Sequence, residues 1–144
     1  MMRMFGTFGD LPGSDRWQEL ASSPVMGKAE GIFSAGGTVC AICGATVALA
    51  EHGMLDDRRH TSNGPGSLGM FSPHYGGESL YVDSPAVSDG GVITAGSHGG
   101  LLWAKLILGR LGVFEDDVLE AWYGYFTTGD SQCYYRMAGA MGER

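Results

Sequence analysis

Apolar residues along this chain form runs with a strand period and runs with a helix period, separated by glycine-rich turns. Short β-branched runs predict strands, and apolar residues three and four apart predict helices. The predicted strands are Thr38–Ile42, Arg59–Asn63, an edge strand or hairpin at Leu80–Asp83 and Val87, and Val92–Ala95. The predicted helices are Ser14–Leu20, Pro24–Ala35, Gly44–His52, Gly100–Leu111 and Glu115–Phe126. Residues 1–13 and 129–144 are weakly patterned, and residues 64–77 are predicted as a loop.

Start and stop signals support these elements. Ser23-Pro24 is a helix cap followed by proline at the first helical position, and Gly36-Gly37 ends that helix. Gly53 is the predicted stop of the helix after the first buried strand. Helices that alternate with short apolar strands predict an α/β layered fold with a largely parallel sheet. The 144 residues are expected to form one domain.

The junction between the predicted strand and helix near residue 43 has the pattern small-x-nucleophile-x-small. Ala41, Cys43 and Ala45 occupy the three named positions. This is the cysteine version of the sharp turn that presents a nucleophile, in which larger neighbours would collide. The amides of the following helix are expected to favour the thiolate form of the sulfur. Cys43 is therefore the candidate nucleophile, and the amides of Gly44 and Ala45 are candidates to bind an oxyanion.

Composition narrows the classes of function. The net charge is −7 and no basic run exceeds two residues, which argues against a nucleic-acid partner. The longest apolar run, near Leu101–Leu108, is interrupted by Lys105 and is too short to span a membrane. The first residues lack the apolar core of a signal peptide, so a cytoplasmic location is expected. Three cysteines, an odd number, favour reduced thiols over a disulfide framework.

Several side chains are candidate partners of Cys43. His74 is preferred as the proton carrier because it lies in a long loop after a predicted strand, where loops can line a site. His60 and His98 are further candidates, each also compatible with an ordinary structural role. Asn63 could donate a hydrogen bond and orient a group, but it cannot accept a proton at neutral pH. Cys40 lies inside the predicted strand, so a disulfide with Cys43 would require rearrangement.

No pair of histidines or cysteines has the spacing of metal ligands. We therefore expect neither a metal site nor a cofactor. A small-molecule substrate and a homodimer are the expected partners.

Four segments together resemble the ThiJ/PfpI family, within the class I glutamine amidotransferase-like superfamily. They are Ala41-Ile42-Cys43-Gly44-Ala45-Thr46, Gly53-Met54-Leu55-Asp56, Arg59-His60-Thr61-Ser62-Asn63 and Val92-Ile93-Thr94-Ala95. Leu11-Pro12-Gly13-Ser14 followed by Trp17 is similar to a further family segment. The resemblance covers roughly residues 10–127 and implies a flavodoxin-like three-layer sandwich with Cys43 at the turn.

Two departures from the family pattern accompany the resemblance. The family has a strand–helix–strand region before the Leu11 segment, with an acidic residue that bonds the cysteine. This chain is expected to be an N-terminally shortened member that lacks those first elements. Hydrolytic members place histidine directly after the cysteine or at the end of the Arg59–Asn63 segment. Gly44 and Asn63 occupy those two positions here.

The resemblance implies a cysteine hydrolase or a glyoxalase/deglycase that acts on a small carbonyl or amide compound. Two alternatives follow from the departures. One is a thiol stress sensor whose Cys43 is oxidised without turnover, and the other is an inactive shortened family member.

Overall fold

The computed structural model describes the backbone of residues 2–5 and all atoms of residues 24–142. The chain divides into two compact units, Met1–Trp103 and Ala104–Arg144. The single-domain organisation of residues 1–144 stays a prediction. The predicted helix Ser14–Leu20 and the Leu11 segment with Trp17 lie outside the described residues. No helix in the described part of the chain is long and apolar enough to cross a membrane.

The first unit contains a four-stranded sheet in the order β1-β2-β4-β3. The strands are β1 (Met2–Phe5), β2 (Thr38–Ile42), β3 (Ala86–Asp89) and β4 (Val92–Ala95). β1, β2 and β4 are parallel, and β3 is antiparallel to β4. The sequence pattern assigned no strand to residues 1–13, so β1 is an addition to the predicted set. The mainly parallel α/β sheet is confirmed.

β2 and β4 form the buried centre of the sheet. Both match their predicted bounds, because each is a short continuous run of apolar or β-branched residues bounded by glycine or a turn. All four residues of β4 are buried, as are the first four of β2. Ile42 pairs with Ala95, so the two strands end side by side at the same edge of the sheet. The residues that follow these two strands therefore lie close together at that edge.

A tight hairpin joins β3 to β4. Gly90 and Gly91 have φ angles of +56° and +83°, a left-handed pair that the type I′ turn requires and glycine adopts without strain. The predicted turn is therefore confirmed. Of the edge strand or hairpin predicted at Leu80–Asp83 and Val87, the Val87 part is confirmed, since Val87 lies in the edge strand β3. The Leu80–Asp83 part is wrong, since Glu78–Leu80 forms a 3-10 turn and only an isolated bridge follows at Tyr81.

Three helices complete the first unit before residue 100. They are α1 (Pro24–Ser34), α2 (Ala45–Glu51) and α3 (Ser67–Phe71). α1 and α2 agree with the predictions to within a residue, and Gly53 has a φ of +69° where the stop was predicted. α3 lies inside the predicted loop, where Leu68 supplies its only fully buried apolar side chain among the described residues. A single buried residue gives too little periodicity to predict such a helix.

The second unit consists of helices. α4 (Gly100–Leu111) begins in the first unit and continues into the second, and α5 (Asp116–Thr128) and α6 (Ser131–Gly142) follow. α4 has its predicted bounds, and two of its leucines, Leu101 and Leu111, are exposed. α6 was not predicted. Its start is marked by Asp130, whose carboxylate accepts a hydrogen bond from the Gln132 amide at 2.9 Å.

Candidate functional site

Cys43 occupies a sharp turn at the end of β2. Its φ of +58° is the only left-handed value of a non-glycine residue in the described part of the chain. Such a conformation costs roughly 1–3 kcal/mol and persists only when the surroundings enforce it. The Cys43 amide donates to the Ala95 carbonyl at 2.9 Å, and the Cys43 carbonyl accepts from the Thr46 hydroxyl at 2.6 Å. The turn is therefore held from both sides, as a nucleophile elbow requires.

The helix after the turn begins without a capping side chain. Gly44 is the N-cap of α2 and Ala45 its first residue, and Gly44 makes no side-chain capping hydrogen bond. Both residues are buried. The small residues lie where the elbow needs them, and the oxyanion role of their amides stays a prediction.

Asn63 lies between the cysteine and the turn after β4. Its Nδ2 donates to the Cys43 sulfur at 3.5 Å, and its Oδ1 accepts from the Ser97 amide at 2.9 Å. The Ser97 amide can only donate, so this bond fixes which end of the Asn63 amide faces the sulfur. The structure thus brings together Cys43 and Asn63, two residues that the sequence proposed. Ser97 was missed, because only the fold places its backbone beside Asn63.

The segment before Asn63 is buried and anchored by side chains. The Thr61 amide donates to Thr94 Oγ1 at 2.8 Å, and Thr61 Oγ1 donates to the Ser84 carbonyl at 2.8 Å. The Ser62 and Thr46 hydroxyls are 2.8 Å apart. These bonds connect the segment to β4, to the loop before β3 and to the elbow helix, so Asn63 is held in place.

The strand predicted at Arg59–Asn63 is wrong. The segment makes one isolated parallel bridge, between His60 and Tyr81. Its three central residues are all buried, and its polar groups bond to distant side chains and loops where a strand would bond to a neighbouring ladder.

His60 is buried and has a structural role. One ring nitrogen, Nδ1, lies 2.7 Å from the Arg58 carbonyl and Nε2 lies 2.7 Å from the Tyr75 hydroxyl. The carbonyl can only accept, so Nδ1 carries the proton and Nε2 accepts from Tyr75. Burial lowers the pKa of His60 and raises the pKa of Tyr75 to about 12. Both groups are neutral in the folded chain at neutral pH.

The neutral state of His60 predicts a loss of stability in mild acid. A lowered pKa means that the folded chain binds fewer protons than the unfolded chain. The histidines of the unfolded chain titrate at about pH 6.5. Stability is therefore complete above that pH and declines as the pH falls below it. Urea unfolding at about pH 8 and about pH 5 measures this difference. His52→Gln should keep the decline and His60→Gln should reduce it; an equal decline in both variants would contradict the assignment.

His74 lies at the other end of the elbow helix from Cys43. Its Nδ1 forms an ion pair with Glu51, which also accepts from the Ser72 hydroxyl at 2.5 Å. These bonds, from Ser72 and then His74, lower the pKa of Glu51. Glu51 ends α2, which rises about 9 Å from its first residue at about 1.5 Å per residue. The structure does not bring His74 to the sulfur, and its role in proton transfer stays a prediction.

The other two cysteines are buried. Cys40 lies in β2, where burial raises its pKa to about 12. Cys133 lies in α6, with Arg136 Nη2 3.1 Å from its sulfur. Both are free thiols, as is Cys43, which is half-buried. Among residues 2–5 and 24–142, no group of three or more His, Cys, Asp or Glu side chains could hold a metal ion.

The chain has a mainly parallel α/β sheet, and a cysteine lies at the strained turn between its central strand and the next helix. These two features define its class as an α/β protein with a nucleophile elbow. The chain belongs to the DJ-1/PfpI family, whose pattern matches residues 11–109. The predicted family membership is therefore confirmed.

Three relatives illustrate the similarity. The protein named uncharacterized protease YoaZ of Bacillus subtilis (strain 168) is 38% identical over 131 residues, which are 91% of this chain and 62% of YoaZ. A thiJ/pfpI family protein from Bacillus anthracis has a TM-score of 0.85 and 34% identity, over 95% of this chain and 63% of that one. A DJ-1 superfamily protein from Agrobacterium tumefaciens has a TM-score of 0.68 and 34% identity, over 78% of this chain and 60% of that one. This chain thus spans less than two thirds of the length of each.

Proposed function

We propose that Cys43 is a nucleophile that attacks small carbonyl or acyl compounds, as in a cysteine hydrolase or a glyoxalase/deglycase. The observation that carries the proposal is the left-handed conformation of Cys43, with a φ of +58° and hydrogen bonds on both sides. A strained conformation that the fold enforces is typical of functional positions. The similarity to a protein named a protease supports acyl transfer as the reaction class.

The residues around the sulfur have complementary roles in this proposal. In acyl transfer the Cys43 sulfur bonds to the carbonyl carbon, the bond to the leaving group breaks, and a thioester forms. Water then hydrolyses the thioester and restores the thiol. The Asn63 amide group, 3.5 Å from the sulfur, stabilises negative charge on it. The Gly44 and Ala45 amides are the proposed donors to the developing oxyanion.

A thiol sensor is the second candidate function. It is favoured by the identity of the residue beside the sulfur, because Asn63 donates a hydrogen bond but cannot act as a base. A sensor would react once at Cys43 and would not turn over. The two candidate functions therefore differ in whether Cys43 reacts once or turns over repeatedly.

Hydrolysis of p-nitrophenyl acetate, a generic acyl donor, tests both candidates. We expect a burst of about one p-nitrophenolate per chain, followed by slower turnover, because acylation precedes hydrolysis of the thioester. Cys43→Ser should abolish the burst, and Cys133→Ser should keep it. A burst without turnover would identify the sensor. The absence of a burst from the unsubstituted chain would refute Cys43 as a nucleophile.

A further inference from the structure

The four histidines of the chain have different surroundings. His60 is buried between a carbonyl and a tyrosine hydroxyl. His52 and His74 each form an ion pair with a glutamate through Nδ1. His98 is exposed, and its ring makes no hydrogen bond or ion pair with any residue in 2–5 or 24–142. Its two ring nitrogens are available to exchange protons with a bound molecule or with water.

His98 follows the strand that neighbours the elbow strand. Ile42 pairs with Ala95 at the ends of β2 and β4, so Cys43 and Gly96 are the next residues on adjacent parallel strands. The Cys43 amide bonds directly to the Ala95 carbonyl. Adjacent strands are about 4.8 Å apart. Cys43 and the turn that carries His98 therefore follow adjacent strand ends.

The His98 ring folds back over that strand end. A Cβ built on Gly96 would lie 3.1 Å from both Cε1 and Nδ1 of His98, so the ring occupies the space above Gly96. The same Cβ would lie 2.7 Å from the Ser62 carbonyl oxygen. The ring can lie there because residue 96 has no side chain. Gly96 follows β4 as Cys43 follows β2, so the ring lies at the strand end next to that of Cys43.

The turn that carries His98 also orients the site. Its Ser97 amide holds Asn63, and Asn63 bonds to the Cys43 sulfur. Gly99 fixes the turn from the other side, since a Cβ there would lie 1.8 Å from the Pro85 carbonyl oxygen. Close backbone packing at both glycines leaves this turn little freedom to move.

We propose that His98 is the proton carrier of the Cys43 site. The inference rests on the proposed function of Cys43. In acylation, His98 accepts the thiol proton and transfers it to the departing group. In hydrolysis, it takes a proton from the attacking water and returns it to the sulfur as the thioester bond breaks. Proton transfer through one intervening water is sufficient for both steps.

Pre-steady-state hydrolysis of p-nitrophenyl acetate separates the roles of the two residues. Burst amplitude reports Cys43 acylation, and steady-state turnover reports hydrolysis of the thioester. We expect His98→Ala to lower turnover about a hundredfold, the usual contribution of a general base, and to slow the burst while its amplitude stays near one per chain. His52→Ala, a matched histidine in an ion pair, should not change turnover. Added imidazole should restore turnover to His98→Ala beyond the rate that it produces with Cys43→Ser.

Every other outcome would contradict either the role of His98 or the function of Cys43. A wild-type rate of turnover in His98→Ala, or a loss of turnover in His74→Ala alone, would overturn the role of His98 and leave Cys43 as the nucleophile. Loss of both burst and turnover in His98→Ala without rescue by imidazole would indicate a structural role and would also overturn it. A burst without turnover in the unsubstituted chain would overturn it in favour of a sensor. No burst in the unsubstituted chain would refute the function of Cys43 itself.

Discussion

Gly99→Ala is expected to destabilise the chain by about 3 kcal/mol or more, the upper range for overpacking a close-packed site. The new Cβ would lie 1.8 Å from the Pro85 carbonyl oxygen and 2.6 Å from its carbon. Real Cβ atoms essentially never approach another heavy atom within 3.0 Å. Both neighbours are backbone atoms, so no side chain can rotate away and the turn itself must move. Urea unfolding measures the loss.

The adjacent residue provides a matched control for this substitution. A Cβ at Gly100 would have Ile42 Cδ1 as its nearest neighbour, at 4.0 Å, which is ordinary contact. Gly100→Ala is therefore expected to be neutral or slightly stabilising, since alanine favours a helix over glycine. An unfolding free energy of Gly99→Ala within about 0.5 kcal/mol of the unsubstituted chain would contradict the close packing of the turn.

Asn63→Asp is expected to slow alkylation of Cys43 by about tenfold or more, since a hydrogen bond to a charged group contributes about 1.5–3 kcal/mol. The substitution keeps the size of the side chain and an oxygen to accept from the Ser97 amide. It replaces the donor to the sulfur with an ionised oxygen, which opposes negative charge on the sulfur. Iodoacetamide labelling followed by mass spectrometry measures the rate.

Two comparisons isolate the effect of Asn63. Asn63→Ala removes the donor without adding charge and should give an intermediate rate. Cys133 in the same molecule serves as an internal control, and its rate should not change. If Cys43 is alkylated as fast in the Asn63→Asp variant as in the unsubstituted chain, the bond from Asn63 does not influence the sulfur.

Local signals predicted the centre of the fold accurately. β2 and α4 have their predicted bounds, because each is a strongly patterned run bounded by residues that end it. The elbow was predictable for a similar reason, because the sharp turn requires small residues two positions before and after Cys43 and the sequence has alanine at both. Asn63 was also found from the sequence, through its place at the end of a family segment.

The choice among histidines could not be made from the sequence. His74 and His98 both follow strand-like segments, and nothing in their neighbouring residues reveals that Glu51 binds the first. The ring of His98 lies over Gly96, and that strand end is next to the elbow because β4 pairs with β2. That pairing joins residues about fifty positions apart. Contacts of this kind appear only once the sheet is assembled.

The most direct test of whether the fold makes Cys43 reactive is its alkylation rate in the native chain. That rate is compared with the rates of Cys40 and Cys133, and with the rates of the same residues in the chain unfolded by guanidinium. Mass spectrometry resolves the three sites after timed treatment with iodoacetamide at neutral pH. We expect native Cys43 to react about tenfold faster than either buried thiol and faster than the same residue in the unfolded chain, because its sulfur is half-buried and accepts a hydrogen bond from Asn63. Native Cys43 that reacts no faster than when unfolded would contradict the account.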